Sequence, residues 1–445
     1  MIYEEKLQNV SVLGAAGKMG SGILLLTAIE IAELQLKPEN KTKRFVINAI
    51  DVSPIALTNL YGYLKVHIKK SAEKKVVSLR EIYKDYSHLI DNSEIIDQYV
   101  DDVLKLILFS SRIESAYDST LIFEAIVEDS DIKVELIKQL LDNNKKNPWF
   151  LTNTSSVPIS ELDSKANIKG NIIGFHFYNP PAVQKLVELI TSKNTNKDLI
   201  EFSKTYAKNL GKKVVPSNDF AGFIGNGHFI RDLLFGIQMA EKLNKEMSFA
   251  ESIYAVNRIS QDYLIRPMGI FQLMDYVGVD VCQKILQVMS SRLGKSELHS
   301  PLIDKLISRG IKGGQNHDGS QKPGIFLYEK GIPVAIYDIK KKDYEHIESF
   351  KSTADSKLGK LPSIHKPWKL AISLNRKEEF LSKYFAELKE LNTIGSKLSC
   401  EYLINSKNIG LNLIKDGVAL NEENVNTVML TGFFHAYGPI NSYLE

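Results

Sequence analysis

The sequence predicts an α/β N-terminal domain followed by two all-α domains. Three observations carry this expectation. Short apolar runs alternate with helical patterns as far as about residue 216. A glycine-rich loop joins the first of those runs to the first long helical pattern. Beyond residue 216 the chain becomes helical and strand-poor. Strands that alternate with helices build βαβ units and a parallel sheet.

The elements follow in order. NVSVL over 9–13 reads as a buried strand, and SGILLLTAIEIAEL after it reads as a helix. FVINAID ends at Asp51, after the polar stretch LKPENKTKR at 36–44, which reads as an added loop. Further strands are expected at LILFS near Leu106, TLIFEAI at Thr120, WFLTN at Trp149 and NIIGFHF at Asn171, with DIKVELIKQLLDNN from Asp131 as one intervening helix. PSNDFAG, with Pro216 and Gly222, has the composition of a domain boundary. The expected domains are therefore 1–216, a helical domain over 217–330, a linker over 331–365 and a second helical domain over 366–445. The break GIKGGQNHDGSQKPG at 310–324 and the charged run KKKDYEHIESFKST support the linker. The two helical blocks share a spacing. Val256-Asn257 precedes Gly269, and Val425-Asn426 precedes Gly438, each with 13 residues from valine to glycine. This raises a degenerate internal repeat.

Composition excludes several classes. The chain has 445 residues, 44% of them hydrophobic and 24% charged, as in globular proteins. Its 56 basic and 53 acidic residues leave a net charge of +3, without the basic excess of a nucleic-acid or membrane-surface binder. Cys282 and Cys400 form no CxxC, so no metal site or redox pair is expected, and the usage fits a reducing cytoplasm. No signal peptide is evident in MIYEEKLQNVSVLG, and no apolar stretch is long enough to span a membrane.

Gly14, Gly17 and Gly20 form G-x-x-G-x-x-G at a strand–helix junction, in the segment Gly14, Ala15, Ala16, Gly17, Lys18, Met19, Gly20. Glycines there let the backbone approach a pyrophosphate, and the helix N-terminus offers N–H donors and a positive dipole end. This Rossmann-type arrangement points to a dinucleotide, and a plain turn is the other reading. The first glycine of the common G-x-G-x-x-G is here Ala15. Asp51 closes the next strand. A carboxylate there accepts the ribose hydroxyls and repels a 2′-phosphate, which favours NAD. With Ser53-Pro54 beside it, Asp51 also suits a helix cap. Lys65, Lys69, Lys70, Lys74 and Lys75 on the following helix suit either phosphate contacts or a solvated face.

His176 follows an apolar strand, and Glu188 lies in the apolar stretch VELI. If those strands are neighbours, the carboxylate orients the imidazole and raises its basicity, leaving a general base. A structural histidine with its partner is the other reading.

GFHFYNPPAVQKLVELI resembles the signature of the L-3-hydroxyacyl-CoA dehydrogenase family. FEAIVEDSDIKVELIKQL, NTSS, AGFIGN and RPMGIFQLMDYVGVD resemble its further motifs, in order, over about 1–330. DGVALNEENVNTVMLTGFFHAYGPI resembles a second copy of its helical domain, as in multifunctional fatty-acid oxidation proteins. The residues after Asn226, Gly227-His228, depart from the family pattern of an arginine and an apolar residue. The resemblance implies NAD-dependent oxidation of (S)-3-hydroxyacyl-CoA to 3-oxoacyl-CoA in β-oxidation. It implies His176 as general base, Glu188 as its orienting partner, Ser155 as a donor to the substrate oxygen near the nicotinamide, and Asn226 as a substrate-holding residue. Glu128, Lys133 and Asn179 would lie along the NAD site. Two alternatives stay open: a short-chain 3-hydroxybutyryl-CoA dehydrogenase working reductively, and a catalytically idle NAD- or CoA-binding subunit of an oxidation complex. The expected partner is acyl-CoA, with no nucleic acid and no membrane. A monomer is expected, because a second helical copy would cover the face that single-copy relatives use to dimerise. Association with other β-oxidation enzymes is a further expectation.

Overall fold

The computed structural model describes residues 2–40, 42–316 and 319–445. Lys41 of the expected polar loop, and His317 and Asp318 of the glycine-rich break, lie outside the described residues. The chain forms two compact units, Met1–Asp219 and Phe220–Glu445.

The first unit is built on one eight-stranded sheet in the order β3-β2-β1-β4-β5-β6-β7-β8. Its strands are β1 (Asn9–Leu13), β2 (Val46–Ile50), β3 (Ile107–Ser110), β4 (Leu121–Glu124), β5 (Trp149–Thr152), β6 (Ile172–Phe177), β7 (Leu186–Thr191) and β8 (Lys213–Asn218). The first six are parallel, β7 runs antiparallel to β6, and β8 runs parallel to β7. The order 3-2-1-4-5-6 is that of a doubly wound dinucleotide-binding sheet, whose crevice opens where the strand order reverses, outside β1 and β4. The runs form strands because both sheet faces are covered: Val10, Val12, Ile47, Ala49, Phe123 and Leu151 enter one core, and Leu13, Ile50, Ile122 and Phe150 are buried on the opposite face. Between β2 and β3 the chain adds the helices Pro54–Lys74, Val76–Ile82 and Asn92–Lys105. The expected boundary at 216 falls inside β8. Pro216 belongs to that strand because β8 is at the sheet edge, where a missing N–H removes no ladder bond.

The second unit is mainly helical. The expected linker over 331–365 is corrected by the structure. Strands β9 (Phe326–Glu329), β10 (Ile332–Asp338) and β11 (Asp343–His346) form an antiparallel sheet, and Lys351–Leu358 is a helix. The lysine run hides this in the sequence, because each strand buries only part of its length. Ile336, Tyr337, Ile347, Phe350, Ala354 and Leu358 nevertheless enter the same core as the flanking helices. The second unit is thus helical with one small sheet, not entirely α. The buried Asp275 carboxylate fixes the entry to this sheet, accepting from Ile325 N at 2.8 Å, Phe326 N at 2.9 Å and Tyr328 Oη at 3.0 Å. The two helical blocks share that one core, with Phe229, Ile230, Leu233 and Ile270 from the first and Tyr384, Phe385, Tyr402 and Tyr437 from the second.

The repeated spacing has a physical basis. Asn257 Oδ1 accepts from Gln272 N at 3.1 Å, and a Cβ on Gly269 would lie 2.2 Å from that oxygen. Asn426 Oδ1 accepts from Ile440 N at 3.0 Å, and a Cβ on Gly438 would lie 2.2 Å from Asn426 Cγ. In each block a helix asparagine braces a turn so closely that only glycine fits.

Candidate active site

The site assembles at the C-terminal edge of the parallel sheet. At the end of β1, Gly14 has φ 73°, and a Cβ there would lie 2.5 Å from Ala125 O in the loop after β4. A Cβ on Gly20 would lie 2.0 Å from Gly14 O. Gly17 is the extended N-cap of the Lys18–Gln35 helix, which has no side-chain cap and no acidic residue in its first turn. Lys18 is exposed on that turn, and Met19 is half-buried. A backbone cradle at an uncapped helix N-terminus suits a pyrophosphate. The alanine at the common glycine position is accommodated: Ala15 is buried, and its N–H donates to Ile50 O at 3.0 Å. Asp51 ties this loop to β2. Its Oδ2 accepts from Ala16 N at 3.0 Å and its Oδ1 from Ser53 N at 3.1 Å. The cap of the next helix is Ser53, which accepts from Ala56 N at 3.2 Å, so Asp51 does not fill that role.

Beside the cradle lies a polar cluster that the sequence reading only partly located. Glu124, closing β4, is buried, and its Oε1 accepts from Lys133 Nζ at 2.6 Å and from Ile126 N at 2.9 Å. Lys133 Nζ also lies 3.3 Å from Glu128 Oε2. Burial works against the lysine's charge, but the two carboxylates hold its pKa above the ordinary range. Burial likewise opposes the charge of Glu128. Lys133 and the donors of the β5 loop nevertheless hold its pKa below the usual value. Glu128 Oε1 accepts from Thr154 Oγ1 at 2.7 Å, Ser155 N at 2.8 Å, Ser156 N at 2.9 Å and the Ser155 hydroxyl at 3.2 Å. Ser155 is thereby placed beside Glu128 and Lys133. Glu124 was missed, and its signal was a carboxylate ending an otherwise apolar strand.

His176 and Glu188 are register partners on the antiparallel β6–β7 pair. Both are buried, with His176 Nδ1 3.3 Å from Glu188 Oε1. A proton on Nδ1 shared with the carboxylate makes Nε2 the basic nitrogen. Tyr178, also missed, donates from its hydroxyl to the same Glu188 Oε1 at 2.6 Å. Burial, and then the charge of Glu188, push its pKa well up. The Asn153 side chain accepts from Phe177 N at 2.9 Å, joining the end of β6 to the loop that carries Ser155. Half-buried Asn179 follows in a turn held by Lys212, whose Nζ donates to Pro181 O and Gln184 O, each at 2.6 Å. A Cβ on Gly22 would lie 3.0 Å from Pro181, so this turn packs on the helix that begins at the glycine loop.

Asn226 stands in the second unit, half-buried in the first turn of the Gly225–Leu243 helix. Of the lysines after Asp51, Lys69 pairs with Asp97 at 3.2 Å and Lys75 pairs with Glu33, all exposed or nearly so. That is the geometry of a solvated face.

Residues 9–220 match the NAD binding domain of 3-hydroxyacyl-CoA dehydrogenase, and residues 222–322 match its C-terminal domain. The chain belongs to the 3-hydroxyacyl-CoA dehydrogenase family. It is 30% identical to a probable 3-hydroxybutyryl-CoA dehydrogenase of Bacillus subtilis, over 71% of this chain and 96% of that one. It is 33% identical to human mitochondrial hydroxyacyl-coenzyme A dehydrogenase, over 57% of this chain and 78% of that one. The crystal structure of the Escherichia coli 3-hydroxybutyryl-CoA dehydrogenase shares the fold over 98% of this chain and 90% of its own, with a TM-score of 0.61 at 19% identity. Family membership makes the chain an NAD-dependent oxidoreductase with 3-hydroxyacyl-CoA dehydrogenase activity. The glycine cradle, uncapped helix and Asp51 fit that cofactor. Among the described residues, no helix is long and apolar enough to cross a membrane.

Proposed function

We propose that the chain oxidises (S)-3-hydroxyacyl-CoA to 3-oxoacyl-CoA in fatty-acid β-oxidation. The observation that carries the reading is the buried His176–Glu188 pair on facing strands, at the same sheet edge as the glycine cradle. NAD, when bound, supplies the acceptor for the hydride leaving C3. His176 takes the proton of the 3-hydroxyl on Nε2, and Glu188 orients the ring and balances the imidazolium that forms. The Ser155 hydroxyl, whose one proton points to Glu128 in this structure, turns from that carboxylate to donate to the developing carbonyl oxygen. Asn226 holds the substrate. Glu128, Lys133 and Asn179 line the nicotinamide side of the NAD site, and Gly14 to Gly20 with Asp51 hold its pyrophosphate and ribose. The relatives named for 3-hydroxybutyryl-CoA make a four-carbon acyl chain the first substrate to assay. Two free cysteines fit a reducing cytoplasm. The second helical block is read as a degenerate copy of the first, which makes the chain a monomer.

The test is absorbance at 340 nm with acetoacetyl-CoA and NADH. Loss of NADH absorbance that requires the thioester, and is slower with NADPH, is the expected result. Tight NADH binding without turnover of acyl-CoA substrates of four to sixteen carbons would instead leave an idle nucleotide-binding subunit.

A further inference from the structure

The antiparallel pairing places His176 and Glu188 opposite one another, and the two-residue period of a strand brings Tyr178 to the same face as His176. The imidazole and phenol rings lie 5.0 Å apart. Both reach one atom, Glu188 Oε1, but unequally: the phenol hydroxyl at 2.6 Å and imidazole Nδ1 at 3.3 Å. His176 and Tyr178 thus face Glu188 from β6 and its continuation, while the apolar Val215 faces it from β8. All three polar residues are buried, so the carboxylate's charge acts on these neighbours with little screening by water.

We infer that Tyr178 is a positioning residue that sets the basicity of His176 through the oxygen they share on Glu188. The inference rests on His176 being the general base. A short bond from a neutral donor draws charge density from a carboxylate, so less of that charge is available to the imidazolium. Tyr178 therefore does two things at once. It holds Glu188 Oε1 within reach of Nδ1, and it keeps His176 a weaker base than the same imidazole without that competing donor. In a reversible alcohol–ketone reaction that is a useful compromise, because the same nitrogen must give the proton back when the enzyme runs in reverse.

Tyr178→Phe keeps the ring and removes the donor. The expected result is an acidic limb of kcat/KM for 3-hydroxybutyryl-CoA oxidation displaced upward by about half to one pH unit, with KM for NAD unchanged. Incorporation of 3,5-difluorotyrosine at position 178 makes the hydroxyl a stronger donor and moves the limb the opposite way. This second variant retains the hydroxyl if the phenylalanine variant folds poorly. Displacements of opposite sign support the inference. An unmoved limb in an active, folded variant, or displacement of both variants in one direction, overturns it. Absence of turnover in the unmodified protein would overturn the general-base reading itself, so the two failures are distinguishable.

Discussion

Replacing Gly20 by alanine places a methyl group where the structure has a carbonyl. The added Cβ would lie 2.0 Å from Gly14 O and 2.7 Å from Gly14 C. An ordinary contact begins near 3.4 Å, so the loop and helix must separate by roughly 1.4 Å, the difference of the two distances. The loop has little room to retreat, because even one added carbon on Gly14 would lie 2.5 Å from Ala125 O. Overpacking of this kind costs about 1–3 kcal/mol. If that strain is relieved by displacing the donors that face the pyrophosphate, NADH binding weakens by about 5- to 150-fold, at 1.4 kcal/mol per decade. The same substitution elsewhere supplies controls. A Cβ on Gly17 comes no closer than 3.2 Å to Gly14 O, so Gly17→Ala weakens binding less. A Cβ on Gly62 meets nothing within 4 Å, so Gly62→Ala leaves binding unchanged and raises stability slightly, by about 0.4–1 kcal/mol. NADH fluorescence titration measures all three, with thermal melts to separate binding from folding. A folded Gly20→Ala protein that binds NADH within twofold of the unmodified chain would refute the argument.

His176→Ala should lower kcat by about 10²- to 10⁴-fold while NADH still binds, and near-normal turnover would remove His176 from the proposed role. Burial pushes the pKa of His228 down, and burial with the Arg266 guanidinium pushes that of His435 well down. The unfolded chain therefore takes up protons as pH falls through about 6.5 while the folded state does not. Stability is lost toward acid at up to about 1.4 kcal/mol per pH unit for each histidine. Urea titrations at pH 7.5 and 5.5 measure this, and a His228→Gln, His435→Gln double variant should flatten the dependence; an unchanged slope would contradict it. Light scattering behind size exclusion should give a mass near the chain's own 50.1 kDa, and a stable dimer would show that the second helical block does not replace a partner subunit.

The sequence revealed elements whose burial is nearly complete. Five of the six parallel strands are buried along nearly their whole length, so continuous hydrophobicity marked them, whereas β3 at the sheet edge buries only Ile107 and leaves Leu108 exposed. His176 and Glu188 were legible for the converse reason, as polar groups inside apolar runs that need a partner. Tyr178 and Glu124 gave a weaker signal. A tyrosine is at home in a buried strand, and a carboxylate at a strand end is common, so their roles depend on contacts across the sheet. β9, β10 and β11 were obscured by Lys340, Lys341 and Lys342, which lie at the tight turn between β10 and β11. There the lysines mark a turn, not the linker their charge suggested. Asn257 with Gly269 and Asn426 with Gly438 were visible as a spacing, but only the packing of each asparagine on its glycine turn shows why the spacing is kept.

The departures after Asn226 acquire a reason from the second helical block. The Gly225–Leu243 helix packs along the Ile394–Lys415 helix within the second unit. A Cβ on Gly227 would lie 3.1 Å from Leu413 Cδ2, and a Cβ on Gly236 would lie 2.9 Å from Ile270 Cγ2 and 3.3 Å from Tyr402 Oη. His228 Nε2–H donates to Ser406 O at 3.1 Å. Next to it, the buried Arg266 pairs with Asp232 at 2.7 Å and donates to Ser406 Oγ at 3.1 Å, while Tyr402 Oη donates to Asp232 O at 2.9 Å. A bulky, charged side chain at 227 would meet Leu413 instead of solvent, and an apolar one at 228 would leave the Ser406 carbonyl without this donor. Gly227 and His228 thus both touch the second block. This is the pattern expected of a helical block in permanent contact with another, because a polar network shared by both blocks keeps its full value only while both remain in place.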